Sequence, residues 1–70
     1  MFEELDRVRI KDIDVVGDIV DVSQHDGKTI FLVESDAEGD ITDEEIVKKY
    51  DVWNLRFPMY RCTADQLEHI

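Results

Sequence analysis

The chain has 70 residues, of which 18 are acidic and 8 are basic, so its formal net charge is −10. A chain of this length forms one domain and leaves little room for a deep substrate pocket, which argues against an enzyme. The charge disfavours nucleic acid and anionic membranes as partners and favours a basic protein.

Cys62 is the single cysteine, which excludes an internal disulfide and is typical of an intracellular protein. The first residues are acidic, whereas a secretory signal begins with basic residues. No apolar stretch approaches the roughly 20 residues that span a bilayer. We therefore expect a cytoplasmic protein of bacterial type with no membrane partner.

Residues 5–11 alternate polar and apolar side chains, which is the pattern of a half-buried strand. This alternation places Arg7, Arg9 and Lys11 on one face, the only basic stripe in the sequence. Three bases on one strand can contact a few phosphates, so an RNA- or DNA-binding domain is our alternative hypothesis. The competing interpretation is that these bases pair across the sheet with carboxylates of neighbouring strands, namely Asp18, Asp21 and Glu34.

Residues 17–23 and 28–34 are rich in β-branched and aromatic side chains and predict two further strands. The dipeptide Asp26-Gly27 lies between them and is a strong hairpin signal. The third strand has an unbroken apolar centre, which favours burial on both faces. Such burial occurs when a small sheet closes into a barrel.

The stretch from Glu34 to Glu45 holds seven acids and no base, and such a run is usually a solvated loop. Thr42 is followed three residues later by Glu45, a capping-box pattern that predicts Thr42 as the N-cap of a helix reaching Tyr50. Residues 36–40 resemble the start of a calcium loop, but the glycine and glutamate that such a loop requires at its sixth and twelfth positions are missing. We therefore predict no metal site and no cofactor.

Residues 57–62 predict a fourth strand, and Pro58 places it at a sheet edge or near its own start. Residues 63–67 predict one helical turn capped by Thr63, and residues 68–70 a short last strand. The order of these elements resembles that of small bacterial SH3-like proteins grouped as domains of unknown function. The matching pieces lie within residues 4–34 and 57–69; they are Glu4 to Val8, Gly17 to Val22 and Ala64 to Leu67.

This resemblance implies an all-β fold with one short inserted helix, in the form of a five-stranded SH3-like barrel over residues 1–70. It implies no activity. An acidic loop and helix at about residues 36–56 interrupt the barrel pattern. Because this insertion is also the most acidic part of the chain, we predict a protein-interaction module that binds a basic partner. The predicted partner-binding residues are Asp36, Glu38, Asp40, Asp43, Glu44 and Trp53.

The sequence offers little for catalysis, so we predict a non-enzymatic protein. Cys62 lies on a predicted strand among apolar neighbours, and such cysteines are usually buried and inert. His25 and His69 lack a context for nucleophile activation or metal binding. A barrel of this size can also pair with a second copy through an edge strand.

Overall fold

The computed structural model of the chain describes residues 1–39, 41–53 and 56–70. The elements in this part of the chain are β1 (Arg7–Ile10), β2 (Val15–His25), β3 (Lys28–Ser35), α1 (Glu44–Tyr50), β4 (Met59–Cys62), a 3-10 turn (Ala64–Gln66) and β5 (Leu67–His69). The five strands form one antiparallel sheet in the order β4-β3-β2-β1-β5. The predicted mostly-β fold with one short helix is confirmed, and the helix lies between β3 and β4 as expected.

The turn between β2 and β3 is the predicted hairpin. Asp26 and Gly27 both have positive φ angles, 51° and 77°, and His25 pairs with Lys28 across the turn. Two central residues with positive φ form the type I′ geometry, whose twist matches that of the flanking strands. Aspartate and glycine tolerate this conformation better than other residues, so the dipeptide fixes the register of the two longest strands.

An irregularity in β2 changes which of its side chains face the core. Ile19 pairs with Val33, but Asp21 pairs with the preceding β3 residue, Leu32, so Val20 is an extra residue. Such a bulge shifts the inward and outward alternation by one position. As a result Ile19 is fully buried and Val22 packs against the same core although it lies three residues further along. The sequence pattern had predicted a regular strand here.

The core lies on one side of the sheet and is closed by helix α1. Its buried hydrophobic members are Val8, Ile10, Ile19, Phe31, Val33, Tyr50, Val52, Tyr60, Cys62 and Leu67. The Tyr50 ring at the end of α1 meets the Tyr60 ring of β4 edge to face, with 6.1 Å between centroids. Ile46 and Val47 of the helix pack half-buried against this cluster. Phe57, just before β4, is half-buried.

The start of helix α1 differs from the sequence prediction. Asp43, and not Thr42, is the N-cap: its carboxylate accepts hydrogen bonds from the backbone N–H of Glu45 at 3.0 Å and of Ile46 at 3.4 Å. Both residue types cap well, so the pattern alone could not choose between adjacent candidates. The glutamates of the first turn and the lysines of the last turn suit the helix dipole, as expected.

The chain ends in the predicted turn and strand, with the strand shifted by one residue to Leu67–His69. The Gln66 side chain accepts a hydrogen bond from the Thr63 N–H at 2.9 Å, which ties the two ends of the 3-10 turn together. The last strand then pairs with β1, with Ile10 opposite Leu67 and Val8 opposite His69.

Candidate protein-binding surface

Two of the three bases in the predicted basic stripe bind the protein's own carboxylates, whereas Lys11 lies just after β1 and is exposed. Arg7 binds Asp36 through both guanidinium Nη atoms, at 2.8 and 2.7 Å, and Asp18 at 3.0 Å. Arg9 lies 3.1 Å from Glu68 and 3.2 Å from Asp14. Of the three predicted carboxylate partners, Asp18 is confirmed, whereas Asp21 and Glu34 form no ion pair within the described residues. Both arginines are neutralised within the chain, which weakens the RNA- or DNA-binding alternative.

Most acids of the predicted binding set also have internal roles. Asp36 holds Arg7, Glu38 accepts a 2.7 Å hydrogen bond from the Nε of Arg56, and Asp43 caps the helix. Glu44 is exposed, and no ion pair involves it in the described part of the chain. Asp40 lies outside the described residues. The insertion therefore presents fewer unpaired charges than its composition predicts.

Trp53 is the member of the predicted set with the most exposed apolar surface, 45% of its residue area. Its backbone forms a single bridge to Met59, which places it beside the outer edge of β4. The Arg61 guanidinium lies over its ring, 4.9 Å from the centroid. Asp51 holds that guanidinium through its carboxylate at 2.9 Å and its carbonyl at 3.2 Å. The indole is thus fixed on the surface.

The strand register places Trp53 on one surface with side chains of β2, β3 and β4. Phe31 and Val33 are buried, so the residues that alternate with them on β3 point away from the core. Pairing then joins Leu32 to Arg61 on β4. We call this outward surface the Trp53 face; it comprises Asp21, Ser23, Ile30, Leu32, Glu34, Trp53, Met59 and Arg61.

The Trp53 face combines half-buried apolar side chains with carboxylates that have no partner in the part of the chain that the structure describes. Ile30, Leu32 and Met59 are partly exposed and continue the apolar surface from Trp53. Asp21, directly opposite Leu32, and Glu34, two residues beyond Leu32, make no ion pair within the described residues. The acids on this face are therefore available to an external cation.

Part of this face is concave. An open groove of about 510 Å³ runs from β2 across Ile30 and Leu32 to Arg61 and the end of helix α1. Asp21 lines one side, and Lys49 to Asp51 lie at the other end. Other surface depressions of the domain have similar volumes, so the chemistry of the lining, and not its size, distinguishes this one.

Cys62, Tyr50 and Tyr60 are buried, and His69 is used in a structural contact. Burial raises the pKa of the Cys62 thiol to about 12, so the thiol stays protonated and is a poor nucleophile. Burial likewise raises the pKa of Tyr50 and of Tyr60. The His69 ring lies 3.0 Å from the Asp6 carboxylate and 4.4 Å from the Phe2 ring centroid. This contact ties the first residues to β5.

No group of three or more His, Cys, Asp or Glu residues in the described ranges is arranged to hold a metal ion. His25 is exposed at the end of β2, beside the hairpin turn. Among the residues described, no helix is long and apolar enough to cross a membrane. Comparisons with protein-family models, with curated proteins and with solved structures found no match.

Sequence reasoning found Trp53 but missed the rest of the face around it. The apolar run in β3 was expected to be buried on both sides, yet only Phe31 and Val33 are buried while Ile30 and Leu32 stay partly exposed. That run is the signal in the sequence, because both faces of β3 carry apolar side chains and the core covers only one of them. Met59 and Trp53 join this face through one backbone bridge, which no local pattern predicts.

Proposed function

We propose that this domain is a non-enzymatic interaction module that binds a basic protein, and that the Trp53 face is its docking surface. The observation that carries the proposal is the exposed Trp53 ring, fixed beside half-buried apolar side chains. It lies next to the carboxylates of Asp21 and Glu34, which no described residue pairs with. A rigid aromatic anchor with a partly desolvated apolar surround is the usual centre of a protein interface.

The charge of the domain supports a basic partner. Within the described residues, five of the eight basic side chains form ion pairs, so the excess of carboxylates dominates the field at the surface. Such a field accelerates association with a cationic protein and makes the association sensitive to salt. Of the members of the predicted binding set that the structure describes, Trp53 and Glu44 are exposed and take no part in an ion pair.

We also propose that the sheet closes as an SH3-like barrel in a cytoplasmic protein of bacterial type. The strand order β4-β3-β2-β1-β5 and the 3-10 turn directly before β5 support the resemblance drawn from the sequence. The single buried Cys62 accords with a reducing compartment.

Capture of partners on the immobilised domain tests the proposed function. We compare the wild type, W53A, D21N/E34Q and the matched control E3Q/E4Q, each against lysate of the source cell at about 50 mM and about 200 mM NaCl. Both double variants lose two negative charges, but only one changes the Trp53 face. We expect a basic protein to be retained by the wild type and the control, to be lost from the other two, and to be retained less at the higher salt.

Two results would contradict the proposal. Equal retention by all four proteins would show that the Trp53 face takes no part in binding. Equal loss from both double variants would show that the overall charge, and not this face, holds the captured protein.

A further inference from the structure

The apolar side chains of the Trp53 face form a diagonal stripe across the strands. The stripe begins at Trp53 and Met59, which pair with each other beside Glu34, and then crosses to Leu32 and Ile30 on β3. It spans two strand spacings of about 4.8 Å and four residues of about 3.3 Å each, so it is roughly 16 Å long. An α-helix covers this length with about 11 residues, or three turns.

The outer edge of β4 offers little room for an added strand. Pro58, directly before β4, has no N–H to donate, and the N–H and C=O of Met59 already bond to Trp53. An extended partner would therefore find only a short free edge, whereas the face itself is open. A half-apolar sheet face is commonly covered by a packed helix.

Charge on the face is asymmetric about the stripe. Glu34 and Asp21 lie on the side toward β2, and both lack an internal partner in the described ranges. Arg61 lies on the opposite side, but its charge is already neutralised by Asp51. A ligand that follows the stripe therefore meets unpaired negative charge along one flank only. A second copy of this chain would set its own carboxylates against these.

We infer that the partner segment seated on the Trp53 face is a basic amphipathic helix of about three turns. Its apolar stripe packs on Trp53, Met59, Leu32 and Ile30, and lysine or arginine side chains on one flank reach Asp21 and Glu34. This inference rests on the proposed function, because it specifies the form in which the basic protein binds.

The test uses two synthetic peptides of about 14 residues without tryptophan, built from the same leucines and lysines. One peptide places leucine at helical spacing with lysine on one flank; its isomer alternates leucine and lysine strictly. Trp53 is the only tryptophan of the chain, so its emission reports on this face directly. Circular dichroism of the mixtures reports the peptide conformation.

We expect the helical peptide to shift the Trp53 emission to shorter wavelength, to become helical on binding, and to bind more tightly than the isomer. In D21N/E34Q its Kd rises roughly fivefold, as the loss of two exposed charge pairs implies, while E3Q/E4Q keeps the wild-type Kd. Retained circular dichroism of the free variants shows that they are folded.

Tighter binding by the alternating isomer would overturn the helix inference, and so would an unchanged Trp53 emission with both peptides. Equal weakening in both double variants would overturn the assigned flank. None of these results decides the proposed function, which the capture experiment tests with natural partners and the same variants. A protein captured through the Trp53 face while both peptides fail would uphold the function and refute its helical form.

Discussion

Gly17 lies in β2 where the strand passes between β1 and β3, with Val8 on one side and Ser35 on the other. A Cβ atom at this position would lie 2.1 Å from the backbone carbonyl oxygen of Glu34. Backbone in the middle of a sheet cannot move aside cheaply, so the absence of a side chain is what allows β2 and β3 to approach here.

We expect G17A to lower the free energy of unfolding by about 2–3 kcal/mol, the upper range for an overpacked site. Urea unfolding followed by Trp53 fluorescence measures the change. D21N, at an exposed position of the same strand, should stay within about 0.5 kcal/mol of the wild type. A G17A domain as stable as D21N would show that β2 and β3 do not approach as closely as described.

The residue types of the sequence predict local structure, such as turns, better than they predict contacts between distant residues. Asp26-Gly27 was predicted because the turn depends on two adjacent residues with positive φ. The bond between Arg7 and Asp36 joins residues 29 positions apart, and no pattern in the sequence selects Asp36 among so many acids. For this reason the sequence could name the candidate binding acids as a group, but it could not show which of them form ion pairs within the chain.

Helix α1 has only seven residues, so its stability depends strongly on the caps at its two ends. At the start Asp43 accepts two backbone hydrogen bonds. At the end Asp51 adopts the left-handed conformation with φ 48°, and its N–H bonds back to the Val47 carbonyl. These caps place Tyr50 in the core and Trp53 at the edge of β4.

Replacing the helix cap tests the corrected start of α1. We expect D43A to lower the free energy of unfolding by about 1 kcal/mol, because two backbone N–H groups lose their acceptor. T42A should change it by less than about 0.5 kcal/mol, since Asp43 and not Thr42 is the N-cap. Urea unfolding of both variants gives the comparison, and the reverse order of the two effects would restore Thr42 as the cap.

At the scale of elements, the strands and the helix could be predicted from periodicity and from turn residues, with ends correct to within a few positions. The bulge at Val20 and the bridge from Trp53 to Met59 could not. Both depend on which strand lies alongside, and the sequence pattern of one element carries no information on its neighbour. The Trp53 face depends on both features, so it can be recognised only in the structure and not in the sequence.

At the scale of the whole molecule, ion pairs join segments that are distant in the sequence. Arg7 links β1 to Asp18 of β2 and to Asp36 beyond β3, so one guanidinium spans three segments. Hydrogen bonding from Arg7 holds the pKa of Asp36 below its usual value, as the His69 contact does for Asp6. The paired carboxylates thus join distant segments, while the unpaired ones set the surface charge.

The Asp36 contribution to stability should depend on pH in a defined direction. Its folded pKa is lower than its unfolded value of 3.8, so the contribution is fully present above that value and is lost as pH falls through the folded pKa. We expect D36N to be less stable than the wild type at pH 7, with the difference shrinking toward about pH 2. Thermal melts at both pH values measure this, and a difference independent of pH would argue against the ion pair.

The pairing of β1 with β5 has a consequence for synthesis of the chain. Arg9 bonds to Glu68, 59 residues later, so on the ribosome β1 has no β5 partner until well after β1 itself is translated. The β2–β3 hairpin can form on the nascent chain as soon as it emerges, but the fold is completed only when residues 67–69 have left the exit tunnel. At about 5–20 residues per second this leaves seconds in which the edge of β1 is open to chaperones.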